Sequence, residues 1–114
     1  MQDDSAYLFD ILNAARNLTM FVRDVSYPDF LKDAKTQYAV RAAFQIIGEG
    51  ARRVSKHTKD LHPMIPWAEI VAMRHRIVHE YDRISWHIVW EIIKHEIPEL
   101  IRLLEPLVPP EDEL

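Results

Sequence analysis

Only two of the 114 residues are glycine, and both, Gly48 and Gly50, fall inside one stretch of helical periodicity. A β protein of this size needs glycine at many tight turns, so this scarcity makes the chain read as helical. Leu8, Ile11, Leu12, Ala15, Leu18, Val22 and Val25 recur at three- and four-residue spacing and mark a first helix. Asp3, Asp4 and Ser5 are its candidate caps. Ser26-Tyr27-Pro28-Asp29 breaks it, with Asp29 the candidate cap of a short helical turn. Val40, Ala43, Phe44, Ile47, Ala51 and Val54 form the stripe of a second long helix, from about Ala34 to Ser55. Each glycine inside that helix costs about 1 kcal/mol relative to alanine, which implies close approach of another helix.

The stretch from His57 to Pro66 is polar, and Pro66 suits the first turn of a third helix running to His79. Ser85 caps a fourth, whose stripe is Trp86, Val89, Ile93, Ile97, Leu100 and Leu104. Pro98 removes a backbone donor there, so a kink or a restart near Glu96 is expected. The expected fold is an all-α antiparallel bundle of four or five helices. A single domain should span residues 1–108, with 109–114 a disordered acidic tail.

Absent cysteine excludes disulfides, thiolate catalysis and Cys-based metal sites. No apolar run approaches the roughly 18 residues that cross a bilayer. The start Met1-Gln2-Asp3-Asp4 does not read as a secretory signal, which leaves Glu111-Asp112-Glu113-Leu114, a near miss to an ER-retention signal, without a route to act. The cytosol is the expected compartment. The net charge of −4 argues against nonspecific coating of nucleic acid. Its distribution is uneven: residues 41–83 hold eight basic and five acidic side chains, the remainder six and thirteen. A basic middle can present a phosphate-binding face, or be an ordinary mixed surface.

Arg74 is the residue out of place. On a wheel with Trp67 at zero, Ile70, Val71, Ile77, Val78 and Tyr81 all fall within about 80° of the origin, and Arg74 falls at about −20°. Arg76 lies at about 180°, where a solvated arginine belongs. A guanidinium is seldom buried unless paired. Arg74 is therefore either held in an internal ion pair, with Glu49 the obvious carboxylate, or presented to an anion from a partly apolar wall. His75 and His79, four apart, sit at the edge of the stripe. His79 ends the helix, where the macrodipole favours imidazolium, a plausible setting for proton exchange near neutral pH. The two histidines with Asp82 or Glu80 could also ligate a metal, but His-Glu-x-x-His is not completed, since position 83 is Arg83, and three nearby arginines disfavour a dication. Nothing points to a cofactor; phosphate loops and serine elbows are missing.

The string Met73-Arg74-His75-Arg76-Ile77-Val78-His79-Glu80-Tyr81-Asp82 resembles the Arg-x4-His-x-Tyr motif of the HepT-like branch of the HEPN superfamily. Ile46-Ile47-Gly48-Glu49-Gly50-Ala51, Ile65-Pro66-Trp67 and Trp90-Glu91-Ile92-Ile93 extend the resemblance over nearly the whole chain. Gly50 departs from it, standing where alanine is usual. The resemblance implies a homodimer with two motif helices facing across a cleft that admits RNA, such as tRNA or mRNA. It implies metal-independent cleavage by the ribose 2′-hydroxyl, with Arg74 and His79 catalytic and His75 and Glu49 supporting. It also implies a minimal nucleotidyltransferase antitoxin, MntA-like, that transfers AMP onto Tyr81. Without the family match, Tyr81 reads as a core tyrosine. The alternative within the superfamily is a noncatalytic nucleotide-binding protein or nucleotidyltransferase partner. Arg74 and His79 lie about 140° apart on one ideal helix, so the length of Arg74, or pairing across two subunits, has to close the gap.

Overall fold

A computed structural model describes residues 3–110, apart from the Tyr81 side chain; the proposed tail lies outside it from residue 111. Among the described residues every regular element is helical. Three long helices, α1 (Ser5–Phe21), α3 (Ala34–Arg53) and α5 (Trp67–His79), pack with a C-terminal rod made of α6 (Trp86–Glu91), a π-helical turn (Ile92–Glu96) and α7 (Ile97–Leu104). The short helices α2 (Tyr27–Leu31) and α4 (Lys56–Leu61) fill the corners.

The core is one cluster. Leu8, Ile11, Ala15 and Leu18 of α1 meet Val40, Ala43, Ile47 and Ala51 of α3, and Ile93, Ile97, Leu100 and Leu104 of the rod close over them. Asp4 at the start of α1 reaches Ser55 at the end of α3, so these two helices run antiparallel. No described helix is long and apolar enough to cross a membrane.

Local chemistry places the boundaries. Ser85 caps α6 by accepting from the Ile88 N–H, as its position implies. Pro98 acts through the turn before it: the Ile97 N–H bonds the Ile92 carbonyl five residues back. Widening the helix ahead of a proline relieves the clash of its ring with the carbonyl four residues earlier. Asp29 does not cap α2; Ser26 does, accepting from the Asp29 N–H at 3.2 Å. The second long helix stops at Arg53, because Ser55 instead caps α4, a six-residue helix too short and, with Leu61 its one apolar residue, too polar to show a stripe. Asp4 makes no cap bond to α1. It is buried, accepting from the Ser55 N–H at 3.1 Å and from the Ser55 and Thr58 hydroxyls at 2.6 Å each. Burial alone would raise its pKa, but these hydrogen bonds outweigh it and hold Asp4 below the ordinary aspartate range.

Candidate functional site

Arg74 and His79 lie on α5, which follows Pro66 and ends at His79, as the periodicity implies. The helix is only half sunk into the fold: Trp67 and Ile77 are buried, while Ile70, Val71, Met73 and Val78 are partly exposed. The reason Arg74 can occupy this stripe is on the facing helix. A Cβ on Gly48 would overlap the Arg74 Cβ and Cγ, so the arginine stem lies directly on the α3 backbone. Gly50 accommodates a different neighbour. A Cβ there would stand 2.7 Å from Ile11 Cγ1 and 3.3 Å from the Tyr7 carbonyl. The two helical glycines thus each admit one helix, α5 and α1 respectively.

Glu49 is not a dedicated partner for Arg74. It accepts from Arg52 at 2.6 Å and from Arg53 at 3.0 Å, its neighbours at i+3 and i+4. Those hydrogen bonds, from Arg52 first, lower its pKa to about 2, so it is ionised at any physiological pH. Arg74 Nη2 stands 3.8 Å from Glu49 Oε2, beyond hydrogen-bond reach. The internal ion pair therefore exists only as a long contact, with both side chains about one-quarter to one-third exposed (26% and 31%). Arg74 Nε is buried and has no hydrogen-bond partner among the described residues. An unpaired buried N–H costs about 1–3 kcal/mol, so this guanidinium has unused donor capacity.

His75 and His79 pair on the exposed side of the helix, their ring centroids 4.6 Å apart. Among the described residues no three His, Asp or Glu side chains gather as a metal site would require. Glu80 ends α5, donating its N–H to the Arg76 carbonyl, and a 3-10 turn, Tyr81–Arg83, follows. The Tyr81 backbone is in that turn, two residues after His79; its side chain lies outside the described part. Gly48 is the site residue that sequence reasoning underused: its helical position signalled a close approach, but not that the approaching group would be Arg74.

A family model described as "Ribonuclease HepT-like" matches residues 11–107, which include both long-helix contacts of the site and the whole motif. The chain belongs to the HepT-like ribonuclease family. Its curated relatives agree. A Thermococcus cleftensis protein named "Probable ribonuclease HepT" is 40% identical over 89% of this chain and 92% of its own length. The Methanocaldococcus jannaschii protein "Putative RNase MJ1380" is 33% identical over 91% and 95%. "Putative RNase TTE0752" of Caldanaerobacter subterraneus is 34% identical over 95% and 96%. No solved structure matches with significance. The matched region contains α5, and Gly48 and Glu49 are the α3 residues set against Arg74.

Proposed function

We propose that this protein is a metal-independent endoribonuclease that acts as the toxin of a toxin–antitoxin pair in the cytosol, with RNA as its substrate. The observation that carries the reading is Arg74, seated on Gly48 within an apolar stripe and partly exposed, while the nearest carboxylate, Glu49, is taken by Arg52 and Arg53. A structural arginine would spend its donors on a close carboxylate, whereas an anion-binding one keeps them in reserve.

In the proposed reaction the ribose 2′-oxygen forms a bond to the adjacent phosphorus as the bond from phosphorus to the 5′-oxygen breaks. The proton of the 2′-hydroxyl leaves to a base, and a proton is delivered to the departing 5′-oxygen. The products are a 2′,3′-cyclic phosphate and a 5′-hydroxyl. His79 serves proton transfer, exposed beside His75 at the end of α5. His75 orients it or shares the proton. Arg74 stabilises the charge that builds on the non-bridging oxygens, and the anionic Glu49 limits how far its guanidinium swings. The half-exposed stripe of α5 is the face on which a second copy would pack, setting one subunit's Arg74 near the other's His79. Tyr81, the last residue of the Arg-x4-His-x-Tyr pattern, is the proposed AMP acceptor for an MntA-like nucleotidyltransferase antitoxin. AMP there would obstruct RNA by bulk and by charge.

The test uses purified protein without a partner, incubated with tRNA and with total RNA in EDTA, beside Arg74→Ala and His79→Ala. Cleavage by the wild type alone, leaving cyclic-phosphate ends, is the expected result. Mass spectrometry of the same preparation establishes that Tyr81 carries no AMP. An unmodified, folded protein that leaves every RNA intact overturns the reading in favour of a noncatalytic nucleotide-binding or nucleotidyltransferase-partner role.

A further inference from the structure

Of the eight cations of the basic middle segment, Arg52 and Arg53 are held by Glu49, Lys56 by Asp60 at 2.6 Å, and Arg74 keeps a long contact with Glu49. Arg76 and Arg83 are different. Both are exposed, and neither has an ion-pair partner among the described residues. They line one small cleft of about 50 Å³, where the end of α5 turns into α6. Its floor is apolar, built partly from the buried Ile77 and Val89, and Glu80 and Ser85 share its walls. Glu80 lies beyond ion-pair distance of both arginines, so two guanidiniums border the cleft without direct neutralisation.

The cleft adjoins the proposed site. Arg76 precedes His79 by three residues, about 60° around the helix, whereas Arg74 lies about 140° away on the other side. Arg83 follows His79 by four residues, across the 3-10 turn. His79 therefore stands between two cationic surfaces, Arg74 toward α3 and the Arg76–Arg83 pair toward α6. A single scissile phosphate needs only the first. A strand crossing His79 would bring a neighbouring phosphate to the second, and the planar guanidinium fork fits phosphate oxygens.

We infer that Arg76 and Arg83 form a subsite for an RNA backbone phosphate adjacent to the one cleaved. The inference rests on the ribonuclease reading for its substrate but is tested apart from cleavage. Both residues position substrate and take no part in bond making. Because a phosphate contact carries no sequence information, the pair strengthens binding of all RNAs alike.

The experiment measures binding of a fluorescein-labelled single-stranded RNA by anisotropy across a salt series, using His79→Ala so that no RNA is cut. In that background Arg76→Gln with Arg83→Gln is compared with Lys56→Ala with Arg102→Ala, which removes the same two charges from exposed sites elsewhere. The expected result is a roughly tenfold loss of affinity near 0.1 M salt and a slope of log K against log salt shallower by about one per arginine, for the first pair only. Arg76→Lys with Arg83→Lys should restore most of the slope, and thermal melting confirms that all variants fold. In the cleaving enzyme, KM should rise by about tenfold with kcat within about twofold. Equal losses in both pairs mean general electrostatics and overturn the subsite, as does an unchanged slope. If the wild type fails to cut RNA while the arginine pair still governs the salt slope, the ribonuclease reading fails and the phosphate subsite stands.

Discussion

The two faces of α3 make opposite use of the same residue type. Toward α1, Gly50 lets Ile11 and the Tyr7 carbonyl press against the helix backbone, and the surrounding Leu8, Ala15, Val40, Ala43 and Ala51 are all buried. Toward α5, two residues earlier, Gly48 admits the stem of an arginine, and the flanking apolar residues of α5 stay partly exposed. The first interface is a closed aliphatic contact whose product is stability. The second is an open one whose close approach sets the position of a charged group. A helix packing against two neighbours can thus separate the two demands by 100° per residue, placing Gly48 and Gly50 on different sides.

Breaking the open interface at its charged group should have the largest effect. Arg74→Ala or His79→Ala should lower kcat by about 10³-fold, equivalent to about 4 kcal/mol of transition-state stabilisation, with melting temperature nearly unchanged. A collapse of Arg74→Ala in thermal melting would instead assign Arg74 to the structural side of the comparison. Gly48→Ala comes next. Its Cβ must displace the Arg74 stem, and a shift of about 1 Å at a catalytic group costs about 10²-fold in rate. Gly50→Ala sharpens the contrast: it should destabilise by about 1–3 kcal/mol through overpacking against Ile11, visible as a lower Tm, with kcat per folded molecule preserved. Should Gly50→Ala reduce kcat as much as Gly48→Ala, the division between the two faces is wrong.

Asp4→Asn tests the closed end of the α1–α3 pair and should cost about 1–2 kcal/mol by weakening the bonds to Ser55 and Thr58. The folded-state pKa of Asp4 is depressed, so its contribution is present above the unfolded value of about 3.9 and fades as pH falls through the lower folded value. The Tm difference between wild type and Asp4→Asn should accordingly narrow between pH 5 and pH 3. The smallest change is expected from Glu49→Gln, about threefold or less in kcat, because the 3.8 Å contact with Arg74 is long and partly exposed. A large loss on Glu49→Gln would make the carboxylate a true orienting partner.

Much of this molecule is legible without coordinates. Periodicity and Pro66 place α5 from Trp67 to His79, Ser85 announces α6, and the angular count exposes Arg74 as a charge on an apolar stripe. These are local facts, set by 100° per residue, by capping chemistry and by proline's missing donor, so a linear reading recovers them. Even the close approaches at Gly48 and Gly50 are implied, since glycine is costly in a helix without a reason. What the sequence cannot rank is competition among partners. Asp4 looks like a cap for its own helix, yet it serves Ser55 and Thr58, 51 and 54 residues away, once antiparallel packing of α1 on α3 brings them together. Glu49 looks like the carboxylate for Arg74, but Arg52 and Arg53 lie on its own helix at i+3 and i+4 and reach it without crossing an interface. Tertiary structure alone decided that Gly48 meets Arg74 rather than an aliphatic side chain, and that Arg76 and Arg83 border one cleft. The physical reason is that a side chain's partners depend on which helices touch and in which register, and packing of the whole core selects that register.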